Sequence, residues 1–336
     1  MMKKIISIVC VLLTVFLVSC KNNEPETIPD PSTYITEKPF TESTTEKETT
    51  TTNKETTTEK DSGKFSLSES FSENLTADEY DAYKIIIKGI DNGESSISVD
   101  LTKGDNSYHK VKSALWWGYP LFKNVQDLHY YSDKKVLRLV YSKTQAELKK
   151  DAENFYKKVD TILTDEIRNA DDFSKAILIY DYIAAQTPDS NINLSMYDVI
   201  MSGKGSSVPF STAFEYLLSR VGVECIHVTC ENKEIGQTAL TLVKLGKNYY
   251  FMSPYHEAKN NGGKFLRYFA LDSEQAKAIT DVKRFIVIDT QYNELSVPET
   301  NDTSLSFISY IDKWSLDVKN RILYYEITDN KYTYKY

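Results

Sequence analysis

Gly203-Lys204-Gly205-Ser206-Ser207, followed without a break by the segment 208–220, is the stretch that decides the fold of this chain. Apolar residues recur in the segment at helical spacing: Phe210, Ala213, Phe214, Leu217 and Leu218. Pro209 lies in the first turn, where its missing N–H costs nothing, and Gly222 follows the last turn. The pattern predicts a helix from Val208 to Arg220 that is buried in the core.

Three strand-like runs come after this helix. They extend over 224–230, 238–245 and 249–252, and Gly246-Lys247-Asn248 joins the last two in the manner of a hairpin. A helix that cannot face water packs most readily on such a sheet. The sequence therefore predicts an α+β fold in which a buried helix packs on an antiparallel sheet.

The chain before this core also mixes helices and strands. A helix is predicted to begin after Thr76 as N-cap and to end at Asn92-Gly93. Further on, the pattern predicts a strand, a hairpin and two helices: 96–101, 128–131 with 136–141, 145–167 and 172–185. We therefore divide the folded chain into an α+β extension over 64–170, a core over 171–281 and a strand-rich C-terminal segment over 282–336.

The N-terminus has the features of an export signal. Two Lys residues precede an apolar stretch from Ile5 to Val18, which is shorter than the roughly 20 residues that span a bilayer. Leu17-Val18-Ser19-Cys20 then matches a bacterial lipobox, whose Cys is lipidated after cleavage. We expect residues 1–19 to be a lipoprotein signal peptide and Cys20 to anchor the chain on the extracellular face of the cell membrane. An uncleaved membrane anchor is the alternative.

The segment from Cys20 to residue 63 is predicted to be a disordered tether. Residues 21–63 contain 13 Thr and few large apolar side chains, too little to offset the entropy of ordering. Five Lys against ten Asp and Glu give it a charge of −5, most of the chain's −8. No cluster of Lys and Arg remains to indicate a nucleic acid as partner.

Four short motifs resemble those of the transglutaminase-like superfamily, which has a papain-like fold. The family's Gly-Lys-Gly-Val-Cys, Gly-Ile-Glu, His-Ala-Trp and Asp-Pro-Thr segments are similar, in order, to Gly203-Lys204-Gly205-Ser206-Ser207, Gly222-Val223-Glu224, Thr238-Ala239-Leu240 and Ser253-Pro254-Tyr255. The likeness extends from about Thr76 to Ile279. It implies a papain-like core and, where the catalytic residues are present, amide-transferring or peptide-processing thiol chemistry.

The catalytic residues of that family are replaced in this chain. The resemblance places Ser207 where the family has its Cys, Thr238 where it has its His and Ser253 where it has its Asp. Thiol catalysis needs a thiolate, an imidazole and a carboxylate that orients it. We therefore expect an inactive domain that binds or scaffolds a cell-wall, peptide or protein ligand, with no catalytic residue, cofactor or metal.

Two other functions stay open at this stage. A serine-type hydrolase could use Ser207 with a relocated base, either His227 or His256 supported by Glu257. It requires an imidazole within hydrogen-bond reach of the Ser207 hydroxyl. The domain could instead be an architectural spacer without a ligand, in which case no concave pocket lined by exposed aromatic residues is expected.

Aromatic clusters are the remaining candidates for binding. Trp116-Trp117-Gly118-Tyr119 offers a flat surface for a sugar ring or a peptide, and adjacent Trp residues in one helix cannot both be buried on the same face. Tyr332, Tyr334 and Tyr336 alternate onto one strand face. Core packing is the competing interpretation of both clusters. Cys225 and Cys230 lie in one predicted strand and point to opposite faces, so we expect no disulfide between them.

Overall fold

The structure is a computed structural model, and it describes residues 65–191, 193–232, 236–280 and 282–336. The signal peptide, the lipidation of Cys20 and the tether fall outside the described residues. Within the described ranges, no helix combines the length and the apolar character that a membrane span requires.

The extension before the core contains five helices and three strands within the described ranges. In chain order these are α1 (Glu69–Ser72), α2 (Ala77–Asp91), β1 (Ser96–Ser98), α3 (Ser107–Gly118), β2 (Val125–Tyr131), β3 (Val136–Tyr141), α4 (Gln145–Ile162) and α5 (Asp165–Asn169). A 3₁₀ turn over Pro120–Asn124 links α3 to β2. As predicted, Thr76 caps α2 and forms a capping box with Glu79.

The core follows with elements that alternate between helix and strand. They are α6 (Asp172–Ala184), β4 (Thr187–Pro188), α7 (Met196–Ser202), β5 (Lys204–Gly205), α8 (Ser207–Arg220), β6 (Cys225–Asn232), β7 (Gly236–Leu245), β8 (Asn248–Met252), α9 (Pro254–Asn261) and α10 (Ser273–Thr280). Helix α8 is buried over nearly its whole length, as its apolar sequence predicts. It packs on β6 and β7.

The core sheet is antiparallel, in the order β10-β9-β6-β7-β8, with β9 at Val282–Ile288 and β10 at Glu294–Leu295. Leu245 pairs with Asn248, so Gly246 and Lys247 form the two-residue turn of the predicted hairpin. Cys225 and Cys230 lie in β6 as buried free thiols, one in each of the apolar clusters that cover the two faces of the sheet. The predicted α+β class, with a buried helix on an antiparallel sheet, is confirmed.

The extension and the C-terminal segment each have a three-stranded antiparallel sheet, that of the extension in the order β1-β3-β2. The other sheet closes the C-terminal segment. It has the order β11-β12-β13, formed by Lys313–Asp317, Ile322–Ile327 and Asn330–Lys335. The alternating tyrosines of this sheet pack against the rest of the molecule. The ring of Tyr336 lies 4.3 Å from that of Phe173, and its hydroxyl lies 2.7 Å from the hydroxyl of Ser174. This tyrosine face therefore serves packing.

Two predicted elements have different bounds in the structure. The strand after α2 ends at Ser98, because Asp100 accepts the backbone N–H of Thr102 and turns the chain. The helix predicted over 145–167 is two helices. Leu163 leaves the helical conformation, and the Thr164 hydroxyl accepts the N–H of Ile167 to begin α5.

Candidate functional site

Two of the three positions that the sequence motifs match to catalytic residues, Ser207 and Thr238, meet at the N-terminal end of α8. Ser207 is its first residue, Thr238 lies in β7, and Ser253 follows β8 as N-cap of α9. The Ser207 hydroxyl oxygen accepts a hydrogen bond from the Thr238 hydroxyl at 3.0 Å and another from the Ala239 N–H at 3.2 Å. Ser207 and Thr238, the expected nucleophile and base positions, thus contact each other directly.

The N-cap of α8 is Ser206, whereas a helix that begins at Val208, as the sequence predicts, would have Ser207 as its N-cap. Ser207 is inside the first turn, and its hydroxyl points across to β7 instead of back onto its own helix. The reason is that the backbone of β7 offers an N–H, and Thr238 a hydroxyl, at the end of a helix that packs on that strand. The local capping preference of Ser is thereby overridden by a tertiary contact.

Ser253 and His256 form a separate pair at the start of α9. The Ser253 hydroxyl accepts the backbone N–H of His256 and lies 2.7 Å from His256 Nδ1. Burial, together with the charge of Lys259, lowers the pKa of His256 to about 4. His256 is therefore neutral at physiological pH, and its Nδ1 is engaged by Ser253.

His227 lies in β6 and is bonded to a residue that the sequence analysis did not consider. Its Nδ1 is 3.0 Å from the Glu215 carboxylate, which also accepts the Thr241 hydroxyl at 3.0 Å. Both members of the pair are buried, and Trp117 packs on the imidazole with ring centroids 5.0 Å apart. A sequence signal was available, since Glu215 is an acidic residue in the middle of an otherwise buried helix.

Within the described ranges, no imidazole is hydrogen-bonded to the Ser207 hydroxyl. Among the residues that the structure describes, its hydrogen bonds go only to Thr238 and Ala239, whereas His227 bonds Glu215 and His256 bonds Ser253. A serine hydroxyl is a nucleophile only when a base can take its proton. In this arrangement two donors hold the Ser207 hydroxyl oxygen, and neither of them is an imidazole.

A cleft of about 650 Å³ opens in front of Ser207. This volume is within the range of roughly 300–1,000 Å³ that is typical of small-ligand sites. One apolar side of the cleft is formed by Leu194, Met196, Val208, Pro209 and Tyr255. Hydroxyl groups line it as well: Ser190, Ser195, Ser206, Ser207 and Thr212. The lining is thus mainly apolar, with polar groups that can orient a ligand.

The predicted aromatic cluster lies along this same cleft. Trp116, Trp117 and Tyr119 all contribute to its lining, although with very different exposure. Trp116 has 62% of its surface exposed, Trp117 is half-buried against His227, and Tyr119 is buried with its hydroxyl donated to Asp91. Trp116 therefore offers a free ring face, while Trp117 and Tyr119 also support the walls.

Positive charge borders the cleft on two sides. Lys123 and Lys259 both line it, and its lining residues include no Asp or Glu. Lys123 is paired with Asp198 at 2.7 Å. Lys259 lies over the ring of Tyr255, and no carboxylate among the described residues pairs with it. The cleft therefore favours a ligand with at least one anionic group. Elsewhere in the described ranges, no group of His, Cys, Asp and Glu is placed to hold a metal ion.

Comparison with known proteins finds similarity among solved structures only. No protein-family model and no curated protein matches the chain. A TGase crystal structure is 17% identical with a TM-score of 0.27, over 34% of this chain and 33% of that one. A candidate cysteine protease from Cytophaga hutchinsonii is 14% identical with a TM-score of 0.24, over 45% and 53%. A candidate protease from Parabacteroides distasonis is 12% identical with a TM-score of 0.29, over 49% and 33%.

This chain thus spans between a third and about half of the length of each of these structures. At such identities and TM-scores the matches say nothing about activity. The resemblance to the transglutaminase-like superfamily that the sequence predicts is confirmed as a likeness of fold, at low identity and over part of the chain.

Proposed function

We propose that this protein is a lipid-anchored, non-catalytic binding module on the extracellular face of a bacterial membrane. Its transglutaminase-like cleft takes up a cell-wall, peptide or protein ligand, and the Thr-rich segment 21–63 connects the domain to lipidated Cys20. The tether would let the domain reach on the order of 35 Å from the membrane surface.

The contact between Ser207 and Thr238 carries the proposal. A hydroxyl oxygen has two lone pairs, and those of Ser207 accept from Thr238 and from the Ala239 N–H. A nucleophile attacks through a lone pair and needs a base for its proton. This arrangement supports a role for Ser207 in holding the end of α8 against β7 and not in bond cleavage.

The cleft itself supports binding over a purely architectural role. A spacer has no need of a concave site, whereas here an open cleft of about 650 Å³ is bordered by an exposed Trp116 and by Lys259, which pairs with no carboxylate in the part of the chain that the structure describes. Apolar walls with a few convergent polar groups are the usual composition of ligand sites. A ligand with an apolar body and a carboxylate would complement this lining.

A serine-type hydrolase based on Ser207 is the alternative. It would need His227 to leave Glu215, or His256 to leave Ser253, and to reach the Ser207 hydroxyl. The buried Glu215–His227 pair is the observation in its favour, because a carboxylate that orients an imidazole is one half of a catalytic triad. The hydrogen bonds of Ser207, which go to Thr238 and Ala239 and not to an imidazole, count against it.

Activity assays separate these two functions. The full chain, purified in detergent, is incubated with p-nitrophenyl acetate, with a fluorescent peptide amide plus an amine acceptor, and with a fluorophosphonate probe. We expect no turnover and no label at Ser207. Turnover or labelling that disappears in Ser207→Ala but persists in Ser190→Ala, a change in the same cleft, would refute the non-catalytic proposal.

A sedimentation assay with insoluble bacterial peptidoglycan tests binding. We expect the full chain to pellet with the polymer and Val208→Trp, which fills the cleft beside Ser207, to stay in solution. Val140→Trp is the matched control, because Val140 is 47% exposed on β3, outside the cleft. Equal pelleting of both variants would contradict binding in the cleft. Membrane fractionation of Cys20→Ala, expected to release the protein, tests the anchor.

A further inference from the structure

A second groove adjoins the cleft at Trp116. It lies between α3 and the turn after β9, and it has a volume of about 520 Å³. Trp116 contributes to the lining of both the cleft and this groove. None of the sequence motifs pointed to the residues on its far side, Thr290, Gln291 and Tyr292. One exposed aromatic ring therefore borders two concave surfaces.

Two exposed aromatic rings belong to this groove. Tyr292 has 63% of its surface exposed and Trp116 has 62%, more than any other large apolar or aromatic residue in the described ranges. Single exposed aromatics are ordinary, but two on one groove form a patch that indicates binding. Each offers a flat, apolar face, to which a ring with apolar C–H groups on one side can pack.

The ring of Trp116 and the backbone of Tyr292 are held in position. The Trp116 indole meets the buried Phe122 edge to face, with centroids 6.3 Å apart. Tyr292 lies in a turn whose N–H groups at Gln291 and Asn293 are accepted by the Asp289 carboxylate. Its φ of 63° is a conformation that Gly or Asn adopts at lower cost. A ring packed as Trp116 is, and a backbone fixed as that of Tyr292 is, lose little conformational freedom when a ligand binds.

The groove is also lined by polar side chains whose hydrogen-bond donors and acceptors have no partner in the part of the chain that the structure describes. The side chains of Asn106, His109 and Gln291 line the groove, and none has a hydrogen-bond partner among the described residues. Lys112 lines it too and has no carboxylate within ion-pair distance in the described ranges. No Asp or Glu contributes to either lining, although the chain has a net charge of −8.

We propose that this groove is a saccharide subsite that takes pyranose rings of a carboxylate-bearing glycan chain, with Trp116 as the boundary it shares with the cleft. A pyranose presents a C–H face that packs on Trp116 or Tyr292 and an edge of hydroxyls that bond Asn106 and Gln291. Its carboxylate pairs with Lys112. The inference rests on the proposed binding function and assigns a ligand class to residues outside the cleft.

Calorimetric titration of the full chain in detergent with three probes tests the ligand class. Hyaluronan hexasaccharide has N-acetylated rings with carboxylates, chitohexaose has N-acetylated rings without them, and a poly-glutamate peptide has carboxylates without rings. We expect the hyaluronan hexasaccharide to bind, chitohexaose to bind roughly tenfold more weakly because the charge-assisted contact is missing, and the peptide not to bind at this groove. If the hyaluronan hexasaccharide does not bind at concentrations up to 1 mM, which corresponds to a binding free energy weaker than about 4 kcal/mol, the subsite proposal is overturned.

Exposed-residue variants locate the site. Tyr292→Ala is expected to weaken hyaluronan binding roughly tenfold, and Lys112→Ala to weaken the acidic sugar while leaving chitohexaose unchanged. Tyr324→Ala, which removes an exposed tyrosine from β12, is the matched control and should bind as the unaltered chain does. Equal affinity of Tyr292→Ala and Tyr324→Ala would overturn the proposal.

The cleft-filling change Val208→Trp distinguishes failure of the subsite from failure of the proposed function. If Val208→Trp abolishes peptidoglycan pelleting while Tyr292→Ala leaves sugar binding intact, the cleft binds and the groove is not a subsite. If neither change affects either assay, both proposals fail.

Discussion

The hydroxyl of Thr238 donates a hydrogen bond to the Ser207 oxygen at 3.0 Å, so a neutral contact joins the two positions that the sequence motifs match to the family's base and nucleophile. The Ala239 N–H, the next donor along β7, bonds the same oxygen. Both hydrogen bonds link the first turn of α8 to the sheet.

Because the Ser207 hydroxyl links α8 to the sheet, removing it is expected to lower the free energy of unfolding. Ser207→Ala leaves the Thr238 hydroxyl and the Ala239 N–H buried without an acceptor, which costs about 1–3 kcal/mol of unfolding free energy. Thr238→Val is expected to cost about 1 kcal/mol, and the double variant less than the sum. Urea unfolding followed by circular dichroism measures this. Ser190→Ala, an exposed hydroxyl in the same cleft, should change it by less than about 0.5 kcal/mol; an equal loss there would contradict the assignment.

Thiol reactivity at position 207 should depend on whether the family's partners are restored. Ser207→Cys alone places a thiol at a helix N-terminus without an imidazole, and we expect slow alkylation by iodoacetamide at pH 6. Adding Thr238→His and Ser253→Asp supplies the imidazolium and its orienting carboxylate, which lowers the pKa of the thiol and should raise the rate at least roughly tenfold. Mass spectrometry of the peptide that contains position 207 measures the rate.

The native thiols serve as an internal control for that experiment. Cys225 and Cys230 are buried, and burial raises the pKa of each, that of Cys230 to about 12. Neither should be alkylated in the folded protein. If the triple variant reacts no faster than Ser207→Cys, the geometry of Ser207, Thr238 and Ser253 is not that of the family's catalytic positions.

His256 should make stability depend on pH. Its pKa is lowered from 6.5 to about 4 by burial and by the nearby Lys259, so between these values the unfolded chain binds a proton that the folded chain does not. The contribution of His256 to the free energy of unfolding is therefore complete above about pH 6.5. As the pH is lowered this contribution decreases, and at pH 4 it is smaller by roughly 3 kcal/mol. Unfolding free energies measured from pH 7 to pH 4 test it.

His256→Gln isolates this contribution from other buried groups. The neighbouring Glu257 is also buried, its pKa is raised by burial, and its effect on stability has the opposite sign. Glu257 is retained in His256→Gln, so the difference between the two pH profiles reports His256. A difference that does not change between pH 6.5 and pH 4 would show that His256 titrates normally in the folded protein.

Removing one member of the buried Glu215–His227 pair is expected to lower the free energy of unfolding more than replacing both members with apolar residues does. Glu215→Met leaves His227 Nδ1 and the Thr241 hydroxyl without their acceptor, with an expected loss of about 3 kcal/mol or more. Adding His227→Phe removes one of those orphaned groups and places an apolar ring against Phe71 and Trp117, which already stack on the imidazole. The double variant should therefore be more stable than Glu215→Met alone in thermal unfolding; a less stable double variant would contradict this account.

Part of the fold could be predicted because short stretches of sequence specify individual helices and turns. The apolar repeat of α8, the Thr76 capping box and the hairpin at Gly246-Lys247 involve residues within a few positions of one another. Local patterns failed where a distant contact competed. Ser207 has good capping propensity, yet β7 draws its hydroxyl away, and the helix predicted over 145–167 breaks where Leu163 turns into the core.

The sequence predicted which residues belong to the candidate site but not which other side chains they contact. The motifs identified Ser207, Thr238 and Ser253, and the adjacent tryptophans implied that one of them is exposed, as Trp116 is. The partner of His227 lies 12 residues earlier in the chain, on a different element. Tyr292 and Trp116 are still farther apart in the chain and share a groove only because α3 and the turn after β9 are neighbours in space.

The sequence by itself predicted α2, α8 with its burial, and the hairpin of β7 and β8, and its motifs suggested that the family's thiol, imidazole and carboxylate are replaced, because periodicity and residue identity are properties of single segments. Only the tertiary structure decided which side chains meet: Ser207 with Thr238, His227 with Glu215, and Trp116 with two concave surfaces. Such contacts depend on how separate elements pack, and no local pattern encodes that packing.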